Sequence, residues 1–380
     1  MKKVLKEFLK VYTKGVGFMC VTSVIIRTIT PVFTGGAHRE HDGLKPQSIL
    51  GSLRFWFEVY CYAIGKLGKD CCEEIDNAEF TKILRDVIIQ NNNISLAEAK
   101  KETLKKLKVS LPSQFFGCNG WEGFLKIKEI KIGNVQNIEL PNNIYKDKNN
   151  LNAPWYENKF NLNRKICHAW YFPEEYFFGD FEIEFLLSDE NLKEEFLYPL
   201  LHFVERYGFI GAKNNIGFGR VRVLLENDEL SLYKSFNLNN EVKDINDAVE
   251  VIDVREITEE QKLERFNNLF NGSTGGRKVK LLKIEEIVEE KEDNHKYFIE
   301  IIERLIRVKS QKRCEFRTNT ERRHYIFGST KKDKYKNIEG PNATKIIPWI
   351  DKAGKNKYET GFISLVLLEN FPRGWGEKIE

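Results

Sequence analysis

The chain has 380 residues, 41% of them hydrophobic, and a formal net charge of +4. This length exceeds one ordinary domain, and so mild a positive charge does not by itself indicate a nucleic-acid-binding protein. The seven cysteines form no C-x-x-C pair, and no apolar run approaches the about 18 to 20 residues that a membrane helix needs. Composition therefore argues against a disulfide framework, a structural metal and a membrane protein, and it predicts a cytoplasmic one.

The first predicted strand runs from Val24 to Pro31 and is rich in Val, Ile and Thr. Residues 1–18 precede it, and Met19 is an alternative start to Met1. We expect residues 1–18 to be dispensable or to form an appended helix.

A charged connection with a glycine pair follows this strand. Gly35 and Gly36 leave backbone N–H groups accessible, and His38, Arg39 and His41 come directly after them. This combination favours a segment that holds an anion against the backbone. A tight turn is the alternative.

A helix is predicted to begin near Lys45, because the proline that follows suits a first turn. Gly51 lowers helix propensity by about 1 kcal/mol, which suggests that a ligand approaches the helix there. The planar donors of Arg54 suit phosphate, although Arg54 is equally well explained as a solvated helix residue. Trp56 is either a stacking or a core residue. The apolar face of this helix recurs at three- and four-residue steps: Leu50, Leu53, Phe57, Cys61 and Ile64.

The middle of the chain alternates between helical and extended patterns. Residues 68–107 predict surface helices that Asn91–Asn93 interrupt, and residues 133–164 predict a long loop. Phe181–Leu187 alternates as a strand, and Asn191–Tyr207 has a helical pattern with a kink expected at Pro199.

A glycine-rich loop from Gly208 to Arg222 leads into the next strand. Strand or helix packing is not expected to explain all four of its glycines, Gly208, Gly211, Gly217 and Gly219. Lys213, Asn214 and Asn215 lie between them and are suited to phosphate and ribose oxygens, so the loop is predicted to follow a bound strand without reading its bases. A glycine-rich turn that enters an edge strand is the alternative.

Charge is unevenly distributed over the second half of the chain. Residues 226–260 carry eleven acidic against three basic side chains, and residues 304–336 carry twelve basic against three acidic ones. The basic run is either a solvated face or a surface that follows a phosphate backbone.

The element order strand, helix, strands, helix, strand is that of a ferredoxin-like unit. Tyr297–Val308 predicts a later helix, and Gly361–Leu368 a final strand. Ile326-Phe327-Gly328-Ser329 echoes Phe116-Gly117-Cys118, which suggests a second, diverged copy. The predicted fold is α+β, with tandem ferredoxin-like (RRM-like) domains and insertions, over residues 1–225 and 226–380.

Several motifs resemble the RAMP superfamily of CRISPR proteins and, more narrowly, the first-numbered subunit of type III-B Cmr effector complexes. Phe115–Cys118 resembles the family's Phe-Gly-Ser/Cys element, and Tyr207–Val223 resembles its glycine-rich loop. Two departures stand out: Leu50 replaces a common arginine, and the positions before Gly217-Phe218-Gly219, where the family usually has a basic residue, are Asn214, Asn215 and Ile216. The N-terminal signature stands here as Thr30-Pro31, Gly35-Gly36, Lys45-Pro46, Ser48-Ile49, Gly51, Leu53-Arg54 and Trp56.

This resemblance implies a non-catalytic RNA-binding subunit that caps the 3′ end of a guide RNA and helps engage target RNA. The implied partners are the guide and target RNAs and other Cmr subunits, including a repeated backbone RAMP subunit, and no cofactor or metal is expected. The predicted RNA contacts are Gly35, Gly36, His38, Arg39, Lys45, Gly51, Arg54, Trp56, Lys213, Asn214, Asn215, Arg220 and Arg222.

The alternative is a metal-independent endoribonuclease that processes CRISPR transcripts, as other RAMP proteins do. His38 or His41 would then take the proton from a 2′-hydroxyl group, since an imidazole titrates near neutral pH.

Overall fold

A computed structural model describes twelve segments of the chain, which form an α+β fold with antiparallel sheets. The described residues are 20–35, 43–67, 74–91, 93–133, 136–137, 176–226, 229–238, 241–270, 276–288, 294–329, 342–354 and 356–366.

The first half of the chain contains six strands and five α-helices among the described residues. A π-helix over Lys193–Leu197 precedes the fifth helix, and a 3-10 turn over Asn214–Ile216 follows it. The elements are β1 (Cys20–Thr28), α1 (Pro46–Ala63), α2 (Asn77–Gln90), α3 (Leu96–Lys106), α4 (Leu111–Phe116), β2 (Leu125–Ile132), β3 (Gln136–Asn137), β4 (Phe177–Phe178), β5 (Asp180–Leu187), α5 (Tyr198–Tyr207) and β6 (Val221–Leu224).

The first sheet has the strand order β2-β5-β1-β6, and every neighbouring pair is antiparallel. Its long elements follow one another as strand, helices, strand, strand, helix, strand, which is the order expected of a ferredoxin-like unit. Phe181, Ile183, Phe185 and Leu187 alternate into the core, so the strand predicted over 181–187 is confirmed.

The helices predicted near Lys45, within 68–107 and within 191–207 are confirmed, with one irregularity, while residues 1–18 lie outside the described residues. The five-residue π-helix comes immediately before the helix that contains Pro199. Proline removes a backbone donor and crowds the preceding turn, which accounts for a break near the predicted kink.

The second half of the chain continues with eight strands and three helices among the described residues. They are β7 (Ser235–Leu238), β8 (Glu241–Asp244), β9 (Val249–Asp253), α6 (Glu259–Asn268), β10 (Val279–Val288), α7 (Asn294–Glu315), α8 (Thr320–Phe327), β11 (Gly328–Ser329), β12 (Asn342–Thr344), β13 (Ile346–Gly354) and β14 (Lys357–Ser364).

The second sheet has the order β13-β14-β10-β9 and differs from the first in one strand. Strands β10, β14 and β13 are antiparallel neighbours, as the corresponding three strands of the first sheet are. The edge next to β10 is occupied by β9, which comes earlier in the chain and runs parallel to β10. Three strands of the second sheet thus share the arrangement of the first sheet, while the fourth position is filled differently, and a second ferredoxin-like unit stays a prediction.

The short echo between the two halves has a structural counterpart. Helix α4 ends at Gly117 with φ 90° and ψ 162°, and helix α8 ends at Gly328 with φ 81° and ψ 155°. Both glycines follow a phenylalanine and have a positive φ that favours glycine.

The two apolar cores share residues across the boundary predicted at 225. Phe236 and Ile245, which follow that boundary, are fully buried in the first core. Ile29 and Phe33 from the start of the chain are buried in the second core. The two units therefore depend on each other for burial of their apolar side chains.

Candidate nucleic-acid interface

The segment that follows β1 is held on both sides by backbone hydrogen bonds. The strand predicted to reach Pro31 ends at Thr28, because the chain then turns to pair with other partners. Gly219 N donates to Pro31 O (2.8 Å) and Ala212 N donates to Phe33 O (2.6 Å), while Val32 exchanges two bonds with Phe177. The Thr-Pro motif and the glycine-rich loop therefore form one structure.

Two buried threonine hydroxyl groups fix this junction. Thr30 Oγ1 donates to Gly217 O (2.8 Å) and accepts from Arg220 N (3.0 Å). Thr34 Oγ1 donates to Gly43 O (3.0 Å) and accepts from Lys45 N (3.0 Å), so it joins the two ends of the glycine-pair connection. The predicted site residues Gly36, His38, Arg39 and His41 lie in that connection, outside the described residues.

Helix α1 begins beside the glycine-rich loop, as predicted. Ser52 Oγ accepts from Gly211 N (2.9 Å), and the first turn of the helix contains no acidic residue. No side chain of that first turn therefore neutralises the positive end of the helix dipole. Thr30–Gly35, Gly43–Ser52 and Gly208–Arg222 are called the three-segment surface below.

Gly51 lies on the exposed side of α1. A Cβ atom added there would meet no described atom within 4 Å. Internal packing among the described residues therefore does not explain this helix glycine, and a close approach by a ligand stays a prediction.

Arg54 is engaged inside the fold. Its Nε donates to Glu58 Oε1 (2.8 Å), Nη1 to Gly117 O (2.6 Å) and Nη2 to Ser113 Oγ (3.2 Å). A phosphate group would have to compete with these three acceptors for the donors of Arg54. The phosphate contact of Arg54 therefore stays a prediction.

Trp56 and Arg220 do not reach the surface, and an RNA contact for either residue is wrong in this structure. The Trp56 side chain is fully buried, and its Nε1 donates to Phe209 O (2.9 Å). Trp56 is thus a core residue, which decides the alternative that the sequence left open.

The Arg220 guanidinium is also 0% exposed. It donates to carbonyl oxygens at the end of α5, including Gly208 O (2.5 Å) and Glu205 O (2.6 Å), and to Ile350 O (3.0 Å) in β13. Burial lowers the pKa of Arg220 to about 10. Arg220 caps a helix end and connects the two sheets, so its donors are not available to a ligand.

All four glycines of the loop lie against other parts of the fold, although two of them meet loop backbone and not a strand or helix. A Cβ at Gly219 would lie 2.1 Å from Ile210 O, and one at Gly211 would lie 2.5 Å from Phe33 O. Gly208 abuts Val204, and Gly217 abuts Pro348. Each glycine therefore permits a close contact, and those of Gly211 and Gly217 join segments that are distant in sequence.

The remaining predicted contacts lie at the edge of the three-segment surface. Lys213, Asn214 and Asn215 are half-buried, and Lys213 Nζ lies 5.9 Å from the centre of the Phe33 ring. Arg222 is one-third exposed, and its guanidinium lies 3.0 Å from Asp351 and 3.3 Å from Glu205. Lys45, Gly51 and the 213–215 turn are thus brought together, whereas Arg222 faces carboxylates.

Sequence reasoning missed one residue that touches this surface. Lys309, on α7, is fully buried and its Nζ donates to Asn215 O (2.5 Å). Burial, and then the charge of Arg313, lower the pKa of Lys309. The basic run contains this residue, but composition alone does not distinguish it from its exposed neighbours.

Neither a metal cluster nor a membrane helix is found in the part of the chain that the structure describes. No three His, Cys, Asp or Glu side chains there are placed to hold a metal ion. Among the same residues, no helix has the length and apolar character needed to cross a membrane.

Two solved structures from Pyrococcus furiosus are similar to this chain. The crystal structure of Cmr1 in its apo form is 15% identical, with a TM-score of 0.40, over 91% of this chain and 88% of that chain. The crystal structure of Cmr6 is 15% identical, with a TM-score of 0.23, over 54% and 98% of the two chains. No curated protein matches the sequence.

Both TM-scores are low, so the family assignment rests on the sequence itself. The RAMP superfamily matches residues 25–222, which is more than half of the chain and spans β1 to β6. This chain belongs to the RAMP superfamily.

Proposed function

We propose that this protein is a non-catalytic RNA-binding subunit of a CRISPR type III-B Cmr complex in the cytoplasm. In this proposal it consists of two ferredoxin-like units, caps the 3′ end of the guide RNA beside a backbone RAMP subunit, and helps engage target RNA. The observation that carries the proposal is the convergence of three RAMP-like motifs on one surface. The Thr-Pro segment, the start of α1 and the glycine-rich loop are joined there by direct hydrogen bonds.

The chemistry of the three-segment surface supports binding to an RNA backbone. Lys45 and Lys213 supply positive charge, and the N-terminus of α1 adds the positive end of a helix dipole. Amide groups of Asn214 and Asn215 suit ribose and phosphate oxygens. Such contacts position a strand without reading its sequence, which suits a subunit that serves many guides.

Fluorescence anisotropy with labelled single-stranded RNA tests this proposal. Lys213→Gln should weaken binding to RNAs of different sequence and reduce the magnitude of the log-log salt slope by about 0.7, the value for one lost contact. Lys82→Gln removes the same charge from an exposed position on α2 and is the matched control. Lack of RNA affinity in the wild type, or an equal loss in the control, would contradict the proposal.

Two further assays separate the finer parts of the proposal. In an assembled complex, omitting this subunit should make the guide 3′ end sensitive to a 3′ exonuclease, and unchanged protection would refute the capping role. Incubation with repeat-containing RNA in the absence of metal should leave the RNA intact. Products ending in 2′,3′-cyclic phosphate, lost in His38→Ala or His41→Ala, would instead establish the endoribonuclease.

A further inference from the structure

The second unit repeats the arrangement that positions Arg54 in the first. In the first unit, Arg54 on α1 donates to Gly117 O, at the glycine that ends α4. In the second, Arg313 on α7 donates over 3.5 Å to Phe327 O, next to Gly328, which ends α8. Each arginine thus reaches from a long helix to the end of a short one, where a glycine of similar backbone conformation follows.

The two arginines differ in how their charge is balanced. Glu58 lies four residues after Arg54 and accepts from its Nε, so this charge is paired. The residue four positions after Arg313 is Arg317, another cation. The Nε of Arg313 is buried and has no hydrogen-bond partner among the described residues.

A second arginine adds positive charge at the same place. Arg323, on α8, also has a buried Nε without a partner in the described part of the chain, and its Nη2 lies 3.3 Å from His324 Nε2. Burial, and then the charge of Arg323, lower the pKa of Arg313. Both side chains are half-buried, so an ion from solution can still reach their outer nitrogens.

This pair of cations adjoins the three-segment surface. Lys309 lies one helical turn before Arg313, on the same face of α7. Its Nζ donates to Asn215 O in the glycine-rich loop. The buried Lys309 therefore connects the glycine-rich loop to the face of α7 on which Arg313 lies one turn farther on.

We propose that Arg313 and Arg323 together bind one phosphate group of an RNA backbone, as a site in the second unit that continues the three-segment surface. The choice of RNA as the source of the phosphate rests on the function proposed above. Arg313 reaches the end of α8, and Arg323 lies one helical turn before that end, so their like charges repel. A phosphate bound by both would offset the repulsion through charge-assisted hydrogen bonds. In the first unit, Glu58 supplies the negative charge that balances Arg54, so no bound phosphate is needed there.

Arg323→Gln tests the site, because the buried Nε of Arg323 has no partner among the described residues, so the change should not disturb α8. With RNA, this variant should reduce affinity several-fold and lower the magnitude of the salt slope by about 0.7. Arg323→Lys should restore part of the affinity, since it keeps the charge but loses the planar donors. Arg85→Gln, on the exposed side of α2, is the control with the same change in charge.

Thermal unfolding of the full chain in inorganic phosphate, at constant ionic strength, provides a second and independent measurement. Phosphate should raise the midpoint of the wild type and of Arg85→Gln, but not that of Arg323→Gln. Without phosphate, the midpoint of Arg323→Gln should equal or exceed that of the wild type, because the variant removes a repulsion. A lower midpoint would mean that Arg323 serves the fold itself, which would overturn the site.

The outcomes distinguish this inference from the proposed function. Normal RNA affinity and salt slope in Arg323→Gln, with RNA binding by the wild type, would overturn the site alone. If the wild type binds no RNA but phosphate still raises its midpoint through Arg323, the site takes a free phosphate and the RNA source is wrong. Absence of both effects would overturn the site and the proposed function together.

Discussion

At the residue scale, Arg220 is a residue for which the sequence motif predicted an RNA contact and the structure shows a buried side chain. Arg220 follows Gly217-Phe218-Gly219 in a loop that resembles an RNA-binding one. Its guanidinium nevertheless donates its hydrogen bonds to backbone carbonyl oxygens of the protein. Those carbonyls belong to α5 and to β13, 130 residues farther on. No local pattern contains that information, so the burial of Arg220 could not be predicted.

Arg220→Met should destabilise the protein strongly. The change leaves buried carbonyl oxygens at Gly208, Glu205 and Ile350 without this donor, and it leaves Asp351, 3.7 Å away, with one cation fewer. We expect a loss of about 3 kcal/mol or more in the free energy of unfolding, measured by denaturant titration. Arg277→Met, at an exposed position, serves as the control. A loss below about 1 kcal/mol would contradict the role of Arg220 as a buried connection.

Lys345 should make stability depend on pH. It is 1% exposed, its Nζ donates to Tyr325 O (2.8 Å), and burial lowers its pKa to about 7. The unfolded chain keeps this lysine protonated up to about pH 10, so between about pH 7 and 10 the unfolded state binds the extra proton. The free energy of unfolding should therefore gain about 1 kcal/mol per pH unit from this group as the pH rises.

Lys345→Met should reduce that slope, as followed by chemical denaturation from pH 7 to 10. It should not abolish it, because burial lowers the pKa of Lys309 in the same direction. Lys82→Met, which removes an exposed lysine from α2, should leave the slope unchanged. Identical slopes in Lys345→Met and the wild type would rule out a neutral Lys345 in the folded protein.

At the element scale, periodicity predicted the helices and strands well because their patterns are local. The apolar stripe of α1 and the alternation in β5 are properties of neighbouring residues. The packing contacts of the glycine-rich loop could not be predicted, because their partners lie far away in the sequence: Gly211 meets Phe33, and Gly217 meets Pro348. Contacts distant in sequence also explain why the end of β1 was predicted three residues too late, since pairing with Arg220 ends the strand at Thr28.

Two glycine-to-alanine changes should have opposite effects on stability. Gly219 has φ +92° and no room for a Cβ atom, so Gly219→Ala should lower the thermal midpoint by several degrees. Gly51 lies in a helix with open space, so Gly51→Ala should raise stability by up to about 1 kcal/mol. Differential scanning calorimetry of both variants decides this, and a stable Gly219→Ala would contradict the packing described here.

Gly51→Ala also tests whether a ligand approaches α1. If an RNA phosphate lies against the helix at Gly51, the added methyl group should weaken RNA binding although the protein becomes more stable. Affinity equal to that of the wild type would remove Gly51 from the predicted contacts. Loss of binding without loss of stability separates contact with RNA from support of the fold.

At the scale of the whole molecule, the two units should unfold together. Each core takes apolar side chains from both halves of the chain, and Phe236 lies between Phe57 and Tyr60 of α1 and the rest of the first core. A fragment of residues 1–225 lacks Phe236 and the Asn246 partner of Tyr207. Its thermal midpoint should lie well below that of residues 1–253, which should in turn lie below that of the full chain.

Calorimetry checks this order, and it also tests the domain boundary predicted at 225. A single transition is expected for the full chain, since interlocked cores lose their packing at the same time. Two separate transitions, or a fragment 1–225 as stable as the full chain, would instead support two independent domains that meet at that boundary.

The hydrogen bond from Arg220 to the carbonyl oxygen of Ile350 has a consequence for folding during synthesis on the ribosome. The chain emerges from its N-terminus, and Ile350 follows Arg220 by 130 residues. At about 5–20 residues per second this interval lasts on the order of ten seconds. During that time β6 and α5 are complete, but the guanidinium between them still lacks its acceptor in β13. The nascent first unit should therefore reach its final stability only when the last sheet of the protein has been made.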